Sequence, residues 1–353
     1  MFTHFTSPDK LPIRLYPINR CNFKCRTPYS TVFCDHPYSS DRPSNKDLFN
    51  ITECFINNNL SDIIKISGRE PTLYPEIVEL VQRLKTLEKK ITLSTNGSLS
   101  FKLLDKLIEA GISIFTFSIH SLDKEKYCFM TGLDKSKSNK QYYHLKNIIS
   151  YLYDIGIEIH LIKVIIKNFN DSQDEIDEFL NYSSHNNALA KIFDLNYHVN
   201  LDKHYLSYER ISSHNKNDFY GNFQLPNKKV NSQDIFNNLY RDLTDFKKTL
   251  KNKAKRIEKF ENAYSRRTVF IVELGNRQRV LFDEFDYDLS KHSFCSTCML
   301  KEECNEGPYS NGWEIRPDLK IQICPIREDL TIDLSKISRI QKLFFDNGVL
   351  YLE

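Results

Sequence analysis

Six short apolar runs, five of them leading into a helix-like stretch, constrain this chain more than any other feature. The runs span residues 13–18, 62–67, 91–95, 113–118, 158–166 and 191–195; the helix-like stretches span 46–57, 74–87, 101–110, 140–154 and 172–181. Gly111 and Gly156 stand just past two of those stretches, where a helix C-cap favours glycine. Strands separated by helices of this length join in parallel, because a parallel partner needs a long crossover, and the helices then cover the sheet. The fold class is therefore α/β. The pattern alone leaves an open doubly wound sheet and a βα barrel equally open. In both, the chemistry sits at the carboxyl ends of the strands.

Cysteine placement marks one of those ends. Cys21 and Cys25 directly follow the first run, and Phe33-Cys34 comes shortly after. A second group, Cys295, Cys298, Cys304 and Cys324, lies near the carboxyl terminus, so seven of the nine cysteines fall in two groups. A disulfide framework fits poorly: the chain is large, and Met1-Phe-Thr-His-Phe-Thr lacks the basic-then-apolar order of an export signal. Thiolates are soft charged donors, so metal binding is the better account. The second group suits a tetrahedral zinc site and an iron–sulfur cluster equally. Cys54 and Cys128 stand apart and read as small packed residues.

Charge and hydropathy narrow the partners. A net charge of +3 on 353 residues does not argue for nucleic acid or an acidic membrane. No apolar run approaches the ~20 residues that span a bilayer, so a cytoplasmic protein is expected. The basic stretch 247–267 is the sole support for an RNA partner, and a solvated helix face explains it more simply. Residues 269–274 and 277–282, around Gly275-Asn276, read as a β-hairpin.

Each strand end carries polar residues worth naming. After the second run comes Ser67-Gly68-Arg69-Glu70-Pro71. Gly68 lets the backbone approach a ligand, Pro71 stiffens the exit, and Glu70 can accept from an ammonium. Ser94-Thr95-Asn96-Gly97 ends the third strand, where short polar side chains cap a helix or meet a ligand. Ser118-Ile-His120-Ser121 ends the fourth, with Thr131-Gly132 further on; His120 touches substrate or is a hydrogen-bonded structural residue. Lys163 lies inside the fifth apolar run and needs a partner, either a ligand carboxylate or a neighbouring acid. Asn170 follows that strand.

Together these residues resemble the radical S-adenosylmethionine (SAM) superfamily. The family pattern is Cys-x3-Cys-x-aromatic-Cys. Here Pro28 holds the third position and Phe33-Cys34 supplies the aromatic-Cys six positions later, giving Cys-x3-Cys-x8-Cys. The segment Gly68-Arg69-Glu70-Pro71 is similar to the family's Gly-Gly-Glu-Pro, with Arg69 in place of the second glycine. The resemblance implies a partial (β/α)6 barrel over roughly residues 10–200, with a 4Fe-4S cluster on Cys21, Cys25 and Cys34 that keeps one iron open. It also implies SAM contacts at Phe33, Gly68, Glu70, Pro71, Ser94, Asn96, Ser118, Lys163 and Asn170, and a substrate contact at His120.

Phe294-Cys295-x2-Cys298, followed by Trp313 to Cys324 in a hairpin pattern, resembles the auxiliary-cluster region of the GTP 3′,8-cyclase of molybdenum cofactor synthesis and the "twitch" extensions of related enzymes. This implies a second 4Fe-4S cluster on Cys295, Cys298, Cys304 and Cys324, with Arg316 near the substrate. The cyclase has three cysteines there and ends in Gly-Gly; this chain has four and ends Val349-Leu-Tyr-Leu-Glu353, so the cyclase activity is not assigned to it. The expected organisation is a barrel over 1–200, a connecting region over 201–290 and an auxiliary-cluster region over 291–353. The implied function is reductive cleavage of SAM to a 5′-deoxyadenosyl radical that takes hydrogen from a small nucleotide or sugar-like metabolite in a biosynthetic pathway. An electron donor such as flavodoxin or ferredoxin is implied as partner. With the first strand starting near Leu11, no peptide-binding domain is expected ahead of it, which favours a small molecule over a peptide. A non-catalytic metal-binding relative is the alternative from another class.

Overall fold

The computed structural model describes residues 10–25, 42–195, 239–261, 267–285, 312–324, 327–335, 343–346 and 349–352. Phe33, Cys34, Cys295, Cys298 and Cys304 lie outside the described residues. Strands and helices alternate as β1 (Ile13–Leu15), α1 (Asn45–Asn57), β2 (Ile63–Ile66), α2 (Ile77–Lys85), β3 (Lys90–Thr95), α3 (Phe101–Ala110) and β4 (Ile114–Ser118). There follow α4 (Lys124–Thr131), α5 (Lys135–Asp154), β5 (Glu158–Val164), α6 (Gln173–His185) and β6 (Leu189–Phe193). Later come α7 (Thr244–Lys253), β7 (Arg256–Glu261), β8 (Arg267–Glu273), β9 (Arg279–Phe285), β10 (Trp313–Ile315), β11 (Lys320–Cys324) and β12 (Arg327–Asp333). A separate pair, β13 (Leu343–Asp346) and β14 (Val349–Leu352), is antiparallel.

The helices start where short polar side chains can accept the orphaned first-turn N–H groups. Ser44, Ser100, Asp123, Asp134 and Ser172 each do so. The short α4, between Asp123 and Gly132, was not anticipated from the apolar pattern; its two caps were the available signal.

Strands β1 to β6 pair in chain order and all in parallel, giving the expected α/β class with a parallel core. The first and sixth do not pair with each other. Instead β10 adds to β1 in parallel and continues antiparallel through β11 and β12, while β9 adds to β6 and continues antiparallel through β8 and β7. Among the described residues the result is one open sheet of twelve strands. Residues expected in three regions thus share one sheet. The 269–282 hairpin forms as β8 and β9, and the hairpin before Cys324 forms as β10 and β11. Most of the basic stretch is solvated, Lys248, Lys253, Lys255, Arg256 and Lys259 being exposed, but it divides into α7 and β7, and Lys247 is buried with its Nζ 2.6 Å from Asp194 Oδ2.

Register gives the two faces of the parallel strands opposite characters. Ile64, Ile91, Leu93, Phe115, Phe117, Leu161 and Ile192 share one face and pack in the main core with Leu80, Leu104, Leu107, Ile148 and Phe179 of the helices. Side chains on the other face include Arg14, Lys65, Thr92, Ser94, Thr116, His160 and Lys191. Helices cover the first face, so the polar face is the inner one. Among the described residues, no helix is long and apolar enough to cross a membrane.

Candidate active site at the carboxyl edge of the sheet

Because β1 to β6 are parallel, the segments leaving their carboxyl ends gather along one edge. The segment after β1 carries Cys21 and Cys25. It is pinned from three sides. Glu70 N–H donates to Arg20 O at 3.1 Å, Lys24 N–H donates to Thr131 O at 3.1 Å, and Asn22 Nδ2 donates to Ser98 Oγ at 2.8 Å. Gly132 completes the dock at the end of α4. Its φ is +63°, and a Cβ there would lie 1.7 Å from Lys24 O, so only glycine lets the peptide between the two cysteines come this close. Gly68, at φ +108°, similarly rests its backbone on the Tyr16 ring, where a Cβ would stand 3.2 Å away.

Glu70 is the hub of this edge. It is wholly buried, and its carboxylate accepts from Thr72 N–H at 3.1 Å, Thr72 Oγ at 2.5 Å, Thr95 Oγ at 2.8 Å and Asn96 N–H at 2.7 Å. Burial pushes its carboxyl up, and those four donors oppose the shift. Its oxygens are therefore committed to holding the ends of β2 and β3 together. Pro71 is buried at the start of the short turn that follows.

Asn170 has a comparable task between β4 and β5. Its Nδ2 donates to His120 O at 2.7 Å and Val164 O at 2.9 Å, and its Oδ1 accepts from Ile166 N–H at 2.6 Å. Lys163 lies on the helix-covered face. Its Nζ donates to His120 O at 3.2 Å and sits 5.7 Å from the centre of the Phe179 ring. Burial lowers its pKa to about 8. His120 Nδ1 accepts from Val164 N–H at 3.2 Å, and burial next to Lys163 lowers its pKa to about 4. His120 is thus neutral, with its remaining proton on Nε2. Ser94 is half-buried on the inner face, and Ser118 is exposed at the end of β4.

Three cations that the motifs did not single out lie deeper on the inner face. Arg14 and Lys65 are neighbours in register on β1 and β2, and Lys191 projects from β6. Lys65 is driven well below the usual lysine range by burial, then by Arg14 and Lys191; Lys191 falls to about 8 by burial and Arg14, with Glu158 opposing. Neither lysine makes a hydrogen bond or ion pair with any described residue. Their signal in the sequence was a lone cation between apolar neighbours, Ile-Lys65-Ile and Ala-Lys191-Ile.

The carboxyl-terminal hairpin closes the other flank. Tyr16 N–H donates to Ile315 O at 2.9 Å, and the Tyr16 hydroxyl donates to Glu314. Arg316 is buried in the hairpin turn, 3.4 Å from Asp318. Because β10 is parallel to β1 and β11 antiparallel to β10, Cys324 comes at the sheet edge opposite Cys21 and Cys25.

Among the described residues no group of three or more His, Cys, Asp or Glu is placed to hold a metal ion. The donors described at the carboxyl edge are the thiols Cys21 and Cys25, neither of them in a disulfide, with N–H groups approaching the Cys21 sulfur. Soft thiols under N–H donors, in a loop cradled by glycine, fit an iron–sulfur cluster.

Comparison with known proteins agrees with this chemistry. Residues 15–180 match the family model described as the radical SAM superfamily. The GTP 3′,8-cyclase of Mannheimia succiniciproducens is 29% identical over 180 residues, covering 48% of this chain and 49% of that one. The GTP 3′,8-cyclase of Aquifex aeolicus is 30% identical over 183 residues, covering 51% and 49%. The chain thus spans about half the length of these curated relatives. Among solved structures, Streptococcus suis SuiB bound to S-adenosylmethionine superposes with a TM-score of 0.45 at 18% identity, over 86% of this chain and 73% of that one.

Proposed function

Because residues 15–180 of this chain belong to the radical SAM superfamily, which implies a 4Fe-4S cluster and SAM, we propose that the protein is an enzyme that takes a hydrogen atom from a small anionic metabolite. A nucleotide or a phosphorylated sugar is the class that fits. The observation that carries this substrate class is the inner-face set of Arg14, Lys65 and Lys191. The three are half-buried, and like charges this close repel one another unless an anion joins them; a phosphate offers acceptor oxygens to Lys65 and Lys191.

Cys21 and Cys25, with Cys34, would hold the cluster. Bound there, it would supply the electron for splitting SAM into methionine and a 5′-deoxyadenosyl radical able to take hydrogen from the substrate. The chain's own part is placement. Gly68 brings the backbone of its segment close to Tyr16. Ser94 and Ser118 would offer polar groups to SAM at the same edge, with Phe33 and Pro71 read as further SAM contacts and Asn96 acting from within the protein. Glu70, Asn170 and Lys163 we read as positioning residues, because their polar atoms are committed within the protein. His120 offers substrate an Nε2–H donor. Cys295, Cys298 and Cys304, with Cys324, would hold a second cluster at the opposite sheet edge, leaving the cations between the two. An electron donor such as flavodoxin or ferredoxin would reduce the enzyme.

The test uses anaerobically reconstituted full-length protein. Binding of nucleoside triphosphates, sugar phosphates and pyrophosphate is measured by calorimetry, and SAM cleavage is measured with dithionite as reductant. Lys65→Met with Lys191→Met is expected to weaken phosphate binding at least tenfold, about 1.4 kcal/mol, while substrate-free SAM cleavage persists. Equal binding by wild type and variant would remove the anionic substrate and favour a peptide. No SAM cleavage by wild type would leave a non-catalytic metal-binding relative.

A further inference from the structure

The amide of Asn96 reaches the sulfur of Cys21, and the way it is held shows which end faces the thiol. Asn96 leaves the carboxyl end of β3 with its own N–H fixed on Glu70 Oε2 at 2.7 Å. Its Oδ1 accepts from Ser98 N–H at 2.9 Å, and its Nδ2 donates to Asn22 Oδ1 at 2.8 Å. Asn22 in turn donates to Ser98 Oγ at 2.8 Å. Rotating the amide would set its oxygen against Asn22 Oδ1 and its NH2 against the Ser98 N–H, so the donor end is the one that faces Cys21. From there Nδ2 lies 3.8 Å from Cys21 Sγ, and Phe23 N–H reaches the same sulfur at 3.4 Å. The sulfur thus receives a side-chain donor alongside the backbone N–H groups of Phe23 and Asn22.

We infer that Asn96 is a positioning residue that sets the reduction potential of the cluster held by Cys21, through an N–H···S bond to that thiolate. The inference rests on the cluster reading proposed above. Hydrogen bonds to ligand sulfur withdraw electron density and favour the reduced cluster, whose extra charge they stabilise. The clamp by Asn22, Ser98 and Glu70 makes the donor fixed rather than fortuitous, so no reorganisation is needed when the electron arrives. A residue that merely held the loop would affect iron content or stability and leave the potential alone.

The experiment is a redox titration followed by electron paramagnetic resonance on anaerobically reconstituted wild type, Asn96→Ala and Asn96→Asp, with iron counted per chain in each. The expected result is a more negative midpoint potential in both variants at equal iron content. Asn96→Asp should fall lower, because it presents an oxygen where the N–H stood. If Asn96→Asp does not take up iron, Asn96→Ser, which can keep a turn to Ser98 N–H, takes its place. Unchanged potentials with full iron would overturn the inference and leave the cluster reading standing. Wild type that binds no iron would overturn both.

Discussion

At the residue scale, Gly132 and His120 make the sharpest predictions. Gly132→Ala introduces a carbon where the Lys24 carbonyl oxygen already sits and adds the strain of a left-handed alanine, of the order of 1 kcal/mol. The clash dominates, and the softer partner is the cysteine segment. Iron uptake is therefore expected to fall severalfold while far-UV circular dichroism stays near wild type; unchanged iron would show that Cys25 does not depend on this dock. His120 predicts a pH dependence. Its folded value of about 4 lies below the ordinary 6.5. Between those values the unfolded chain binds a proton that the fold excludes, so the stability is present above pH ~6.5 and lost as pH falls toward 4. The full difference is worth up to about 3 kcal/mol, and less for a ring that keeps some exposure. Urea unfolding at several pH values should show the decline, and His120→Gln should flatten that part of it. For Lys163 the sign is the same in a higher window: its contribution is lost as pH falls from 10.5 toward about 8.

At the element scale, the carboxyl-terminal hairpin is an integral edge of the barrel sheet. Trp313 on β10 is 1% exposed, stands edge-on to Phe55 of α1 with ring centres 5.3 Å apart, and donates Nε1–H to Leu60 O at 3.3 Å. Trp313→Ala should cost about 3–5 kcal/mol, the usual range for emptying a large aromatic site in a packed core. It is also the chain's single tryptophan, so its fluorescence reports this junction alone. If β10 and the parallel strands form one cooperative unit, urea transitions followed by fluorescence and by circular dichroism will coincide. An earlier fluorescence transition would mean that the hairpin undocks separately.

At the scale of the whole molecule, the inner face sets stability against function. Arg14, Lys65 and Lys191 act on one another as like charges, which the fold tolerates at a cost. Lys65→Met is therefore expected to raise the melting temperature of the ligand-free protein by a few degrees. The same change should abolish the further rise that pyrophosphate gives wild type, since a ligand that binds only the folded state stabilises it by mass action. A melting temperature lowered by Lys65→Met, with the pyrophosphate effect intact, would assign the lysine a structural role.

What this sequence determined by itself was the part carried by local chemistry. The alternation of apolar runs with capped helices required parallel strands under helices, and parallel strands put Cys21, Cys25, Gly68, Asn96 and His120 at one edge. Proline, glycine and capping residues act within a few positions, so they are legible in one dimension. Tertiary structure decided which face each strand residue occupies and which polar atoms remain free. Lys163 and Lys191 look alike in the sequence, each a lysine among apolar neighbours. Strand register, a long-range property, turns Lys163 onto Phe179 and Lys191 toward Arg14. Glu70 reads in the sequence as an acceptor for a ligand's ammonium; the fold adds donors from Thr95 and Asn96, about 25 residues away. The contacts of Gly132 with Lys24 and of Tyr16 with Glu314 join segments far apart in the chain, so only the packed molecule could reveal them.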